Sequence, residues 1–320
     1  MKGQFHSEIF DGVLILDFEI LIDDTFLQLI PSSKLAPAGN KHILTLLNDY
    51  EDAEWRYKKF QEFIWDNIAE TALSKKERDS LAGNPYSVLI AAAANLRLTD
   101  TEDDVGKGSE LAEIVLYGIM KHHYGALPVV PKIFYKQNSQ DNAKGADSVH
   151  VVLVGQDDFT LWFGEAKFFT SIENDRLLDV IRSIKNALDS GKLKKENTII
   201  TNVQDFNTLI EDDTLRNKIK EALHPKKSID KLKPRIHVPI LLLHECGHTC
   251  KAKFIDDNYR EEITAWHKNR AEAFFEKQIK HLSEIVCYAD VTFHLILFPV
   301  PKKREVVDKF VRKVKAFKEI

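Results

Sequence analysis

A mixed α/β fold is what this chain of 320 residues predicts, on three observations. Short β-branched runs alternate with longer stretches of helical periodicity through the C-terminal two thirds. No self-similarity recurs at roughly 20–50 residues, which sets solenoids aside. The hydrophobic fraction of 44% and charged fraction of 29% sit close to globular averages, so there is apolar surface enough for a core. The longest apolar runs, such as residues 88–94, fall far short of the ~20 residues that span a bilayer. No secretion leader is expected. Three cysteines cannot staple a chain of this size and suit a reducing compartment, so a cytoplasmic location is expected.

Residues 1–100 read as an acidic N-terminal α+β region and residues 101–320 as a second domain. Strand-like runs occupy residues 12–18 and 19–22, followed by a loop with Pro31, Pro37 and Gly39. Residues 49–73 place Trp55, Phe60, Phe63, Ile64 and Ile68 at near-helical spacing. Asn84-Pro85 interrupts the pattern, and residues 86–98 read as a buried helix. The acidic stretch 99–105 marks the boundary. Beyond it, residues 109–123 form a helix with Leu111, Ile114, Val115, Gly118 and Ile119 on one stripe and Ser109 as N-cap. Residues 125–131 turn the chain, 132–137 read as a short strand and 138–146 as a polar loop. Two strands, 148–154 and 160–168, flank a tight turn at 155–158. Residues 173–189 are helical, 197–202 a strand, 218–235 a basic connector, and 238–243 a strand. A long helix at 261–287, a strand at 291–298 and an amphipathic helix at 304–320 complete the order. This alternation implies a mixed sheet with helices on both faces.

Charge is divided unevenly along the chain. Residues 1–104 carry 19 acidic against 10 basic side chains, whereas residues 105–320 carry 30 against 35. Basic segments at 218–235 and 302–318 suit an anionic partner. On the last helix, Val307, Phe310, Val311, Val314 and Phe317 form a stripe that leaves Lys309, Arg312, Lys313 and Lys315 toward solvent. A solvated helix face explains the same pattern. No zinc-finger or helix-turn-helix signature accompanies it, so specific base readout is not indicated.

Four residues carry the chemistry: Glu110, Asp147, Glu165 and Lys167. Glu110 stands in the first turn of a helix. Asp147 follows Gly145-Ala146 at a strand start. Glu165 and Lys167 lie two apart on the next strand, so they share a face. The hairpin places the start of its first strand beside the end of its second, which brings Asp147 near Glu165. Carboxylates at close range repel unless a cation balances them. Hard oxygen donors suit Mg²⁺ or Mn²⁺, with water and a substrate phosphate completing the shell. Such an ion activates water and neutralises charge on a phosphate, and a lysine on the same face orients that water or supports the charge. A lone E-x-K reads as an exposed ion pair. The ordered set, embedded among Trp162, Phe163, Phe168 and Phe169, points instead to a metal site for phosphodiester hydrolysis.

The run Gly108-Ser109-Glu110, then Gly145-Ala146-Asp147, then Gly164-Glu165-Ala166-Lys167-Phe168 resembles the PD-(D/E)xK nuclease core, a restriction-endonuclease-like α/β fold. More narrowly, it is similar to the HamA family, the nuclease subunit of the Hachiman anti-phage defence system, over about residues 100–300. By that resemblance residues 101–320 are a nuclease domain. Asp147 and Glu165 bind Mg²⁺ or Mn²⁺, Lys167 is catalytic and Glu110 assists at the metal. The resemblance also implies a DNA substrate and a superfamily 2-type helicase partner that restrains the nuclease. Ala146 stands where the wider motif takes its name from proline.

Two further readings stay open. His244-Glu245-Cys246-Gly247-His248 is a literal H-E-x-x-H, the zinc metalloprotease device when helical. The apolar run before it reads as a strand, Gly247 disfavours a helix interior, and no G-x-x-H follows. His244, Cys246, His248 and Cys250 alternate, which also raises a local structural zinc. The third reading is a non-catalytic adaptor for the helicase.

Overall fold

The structure is a computed structural model and describes residues 16–98, 108–136, 146–202 and 204–320. Strand β1 (Glu19–Thr25) runs into a one-turn helix, α1 (Phe26–Leu29), which Thr25 and Gln28 close with a capping box. Strand β2 (Lys41–Leu47) and a small hairpin, β3 (Tyr50–Glu51) and β4 (Glu54–Trp55), precede three helices: α2 (Tyr57–Ala72), α3 (Lys75–Ser80) and α4 (Pro85–Ala94). Helix α5 (Ser109–Tyr124) then leads through β5 (Leu127–Val130) and α6 (Lys132–Lys136) to the hairpin of β6 (Ser148–Val154) and β7 (Asp158–Phe169). Helices α7 (Asn174–Ala187), α8 (Ser190–Asn202), α9 (Gln204–Leu209) and α10 (Asp213–Ala222) lead to β8 (Ile236–Glu245). Helices α11 (Gly247–Lys251) and α12 (Asp257–Leu282) connect to β9 (Thr292–Val300), and α13 (Lys303–Lys318) follows.

Seven strands form one mixed sheet in the order β1-β2-β9-β8-β7-β6-β5. Strands β2, β9, β8 and β7 are mutually parallel; β1, β6 and β5 pair antiparallel toward the two edges. Parallel strands are covered on both faces and read as near-continuous apolar runs. Hence β8 and β9 are almost wholly buried. One face packs Phe163, Phe169, Ile240 and Leu242 against α7 and α12, with Val180, Ile184 and Phe274 in the same cluster. The opposite face packs Trp162, Ala166, Phe168 and Leu241 against α2, α5 and α13, through Phe63, Leu116 and Phe310. Residues on both sides of the boundary expected near position 100 therefore contribute to a single sheet.

Several expected elements change. Residues 132–136 are helical, not a strand: Pro131 precedes the first turn, and its carbonyl accepts from Tyr135 N at 3.2 Å. Residues 197–202 end a helix. The Thr198 and Thr201 hydroxyls donate to the carbonyls of Lys194 and Asn197, four residues back, and Leu193 and Ile200 are buried in the core. The helix expected from residue 49 starts at Tyr57, because Asp52 and Ala53 adopt positive φ and close the β3–β4 hairpin. The turn at 125–131 contains β5, and the inner strand β2 had no expected counterpart. Ser109 is not the cap of α5; Gly108 is, at φ 90°. Helix α4 buries only Ala92 and Ala93. The expected segments at 99–105 and 138–145, and most of 12–18, lie outside the described residues.

Candidate functional site

The β6–β7 register decides the site. Ser148 pairs with Gly164, so Asp147 falls opposite Glu165, and Asp147 N donates to Gly164 O at 2.8 Å. Asp147 Oδ2 accepts from Ala166 N at 3.1 Å, which turns its carboxylate toward β7. Lys167 Nζ lies 3.4 Å from that same oxygen and in ion-pair contact with Glu165 Oε1. It also donates to Ala166 O at 3.3 Å. Three of the four expected residues thus meet around one ammonium. The Glu165 side chain is 5% exposed, while those of Asp147 and Lys167 keep 17% and 24%. A solute therefore approaches from the Asp147–Lys167 side, with Glu165 as the floor.

The charges are interdependent. Burial pushes the Glu165 carboxyl up, the Asp147 charge pushes it the same way, and Lys167 opposes both. For Lys167, burial pushes the ammonium down, but the Asp147 and Glu165 carboxylates outweigh it and the net shift is upward. The ammonium is the firmest charge of the three, because it has two counter-charges and no like neighbour in the group.

The fourth residue is engaged elsewhere. Glu110 Oε1 accepts from Arg97 N at 2.9 Å and Oε2 from Leu98 N at 3.0 Å, so this carboxylate holds the chain that follows α4. One turn further along α5, Glu113 is buried at 5% exposure in the neighbourhood of Tyr117. Among the described residues no three His, Cys, Asp or Glu side chains gather closely enough to hold a metal ion. Among the described residues, the carboxylates gathered around Lys167 are Asp147 and Glu165.

The H-E-x-x-H residues do not converge. Strand β8 ends at Glu245 and α11 begins at Gly247, so the motif straddles a strand end. His244 is buried, with Nε2 3.2 Å from His267 Nε2, whose Nδ1 lies 3.0 Å from Thr45 Oγ1. His248 Nδ1 lies 2.7 Å from Glu262 Oε2. Glu245 accepts from Lys302 Nζ at 3.2 Å and from Lys303 N at 3.1 Å, anchoring the start of α13. Cys246 is buried and Cys250 exposed.

The fold and site define an α/β protein with two carboxylates and a lysine gathered on one hairpin at the edge of a parallel sheet core. The chain belongs to the HamA family, whose model matches residues 22–314. That membership implies a role in Hachiman anti-phage defence. No curated protein sequence matches the chain. Among the described residues no helix is long and apolar enough to cross a membrane.

Proposed function

We propose that this chain is a divalent-metal-dependent DNA endonuclease of the PD-(D/E)xK kind, acting in Hachiman defence beside a helicase subunit that restrains it. The observation that carries the reading is the convergence of Asp147, Glu165 and Lys167 across the β6–β7 hairpin. An aspartate at the start of one strand and E-x-K on its antiparallel neighbour fit that nuclease arrangement. The donor set also fits a hard cation: two carboxylates face a shared positive charge, and oxygen ligands select Mg²⁺ or Mn²⁺. When bound, the cation supplies Lewis-acid stabilisation of charge on a scissile phosphate and activation of water.

The chain's own residues do the rest. Asp147 is oriented by the Ala166 amide, and the buried Glu165 has the Ser183 side chain as a hydrogen-bond partner, so both donors are held before an ion arrives. Lys167, set against both carboxylates, offers a positive group that orients a phosphate oxygen and steadies charge there. The exposed Lys309, Arg312, Lys313 and Lys315 of α13 supply sequence-independent phosphate contacts.

The test compares the wild-type protein with a Glu165→Ala/Lys167→Ala double variant on plasmid DNA, in Mg²⁺ and in EDTA. The wild type is expected to cleave in Mg²⁺ alone, and the double variant at least about 100-fold more slowly. Equal cleavage by the two proteins contradicts the reading.

A further inference from the structure

We propose that Lys167 is the internal counter-cation of this site, and that a divalent ion enters by displacing its ammonium from between Asp147 and Glu165. The inference rests on the metal-dependent reading above and assigns Lys167 a task apart from the reaction. Its ammonium lies 3.4 Å from Asp147 Oδ2 and in contact with Glu165 Oε1, the two carboxylates that would ligate the metal. One small cation is thus already seated between the donors. A second positive charge placed there would meet like-charge repulsion as well as crowding.

The geometry also provides for an exchange. Glu165 is buried and Asp147 is tied to the Ala166 amide, so the two carboxylates are the less movable members of the group. Lys167 is the member with a long flexible stem and the greatest exposure of the three, 24%. Its remaining bond at this spot is a 3.3 Å contact to Ala166 O, which water replaces once the ammonium swings outward. A divalent ion offers twice the charge to the same pair of carboxylates, so exchange is favourable when the ion is abundant. When it is scarce, the lysine holds the carboxylates together and keeps them neutralised. Lys167 therefore sets the ion concentration at which the site fills.

The consequence is unusual for a residue at the centre of a site: removing its charge should tighten binding. Mn²⁺ affinity is measured by calorimetry on the full chain for the wild type, Lys167→Met, Lys167→Gln and Lys167→Arg. The Met and Gln variants are expected to bind Mn²⁺ about tenfold more tightly than wild type, with the Arg variant near wild type. Thermal melting gives a second readout. Without metal, Lys167→Met should melt below the wild type, because two adjacent carboxylates lose their counter-charge, and it should gain the larger increment when Mn²⁺ is added. Equal or weaker Mn²⁺ affinity in both neutral variants overturns the counter-cation role while leaving the metal reading standing. Absence of Mn²⁺ uptake by the wild type and by every variant overturns the metal reading and this inference together.

Discussion

Four rings, one from each of β2, β9, β8 and β7, stack across the sheet on the side away from Glu165. His42 lies on His294 at 4.8 Å between centroids, and Trp162 stacks on both His294 and His237 at 4.4 and 4.5 Å. His237 Nδ1 is 2.8 Å from His294 Nε2. Tyr124 meets Trp162 and His294 from α5, and the neighbouring His123 faces Asp23 at 3.5 Å. Burial pushes His237 down to about 4, and it lowers His42, His123 and His294 as well. In the unfolded chain these imidazoles titrate near 6.5. Below that pH the unfolded state binds protons that the folded state resists, so stability falls as pH drops from about 6.5 to about 4. Urea unfolding at pH 7 and pH 5 should show this loss. His237→Phe should make the difference between the two pH values smaller; an unchanged difference would remove His237 from the account.

The contact between α5 and β7 is the element on which the site depends most. A Cβ at Gly164 would stand 2.8 Å from Leu116 Cδ2 and closer still to Ser148 Oγ. Valine suits a strand, but here it would wedge helix and hairpin apart. Gly164→Val is expected to cost about 1–3 kcal/mol in chemical denaturation and to slow plasmid cleavage by misplacing Glu165. Unaltered stability would show that α5 gives way freely.

These elements also show how far the sequence could be read. The β6–β7 hairpin was legible because its β-branched alternation and its Gly155 turn lie within one local stretch. The meeting of Asp147 with Glu165 and Lys167 followed from hairpin arithmetic alone. Strands β8 and β9 were legible as uninterrupted apolar runs. Strand β2 was harder, since its own pairing partners lie in β1 and, far along the chain, in β9. Helix α8 escaped because tertiary burial of Leu193 and Ile200 overrode the β-branched residues at 198–201. The engagement of Glu110 depends on where the chain after α4 passes, which no local pattern encodes. Glu245 likewise looks like a general base in H-E-x-x-H until the amide of Lys303 arrives from the far end of the chain.

Across the whole molecule the sheet joins what composition divides. The acidic first third supplies β1 and β2, which lie in the same sheet as the hairpin carrying Asp147, Glu165 and Lys167. The last helix is fastened back to this core: Glu245 holds its first turn, the Lys303 ammonium lies 5.6 Å from the Phe168 ring centroid, and Val307 comes against Gly108. The basic face of α13 is thereby tied to the strand that bears Glu165 and Lys167. The most direct test of this account is anomalous diffraction at the manganese edge from crystals of the full chain soaked in Mn²⁺. The account predicts one peak about 2.2 Å from carboxylate oxygens of both Asp147 and Glu165, with Lys167 swung outward. A map with no peak there, or with manganese bound only at the histidines, would contradict it.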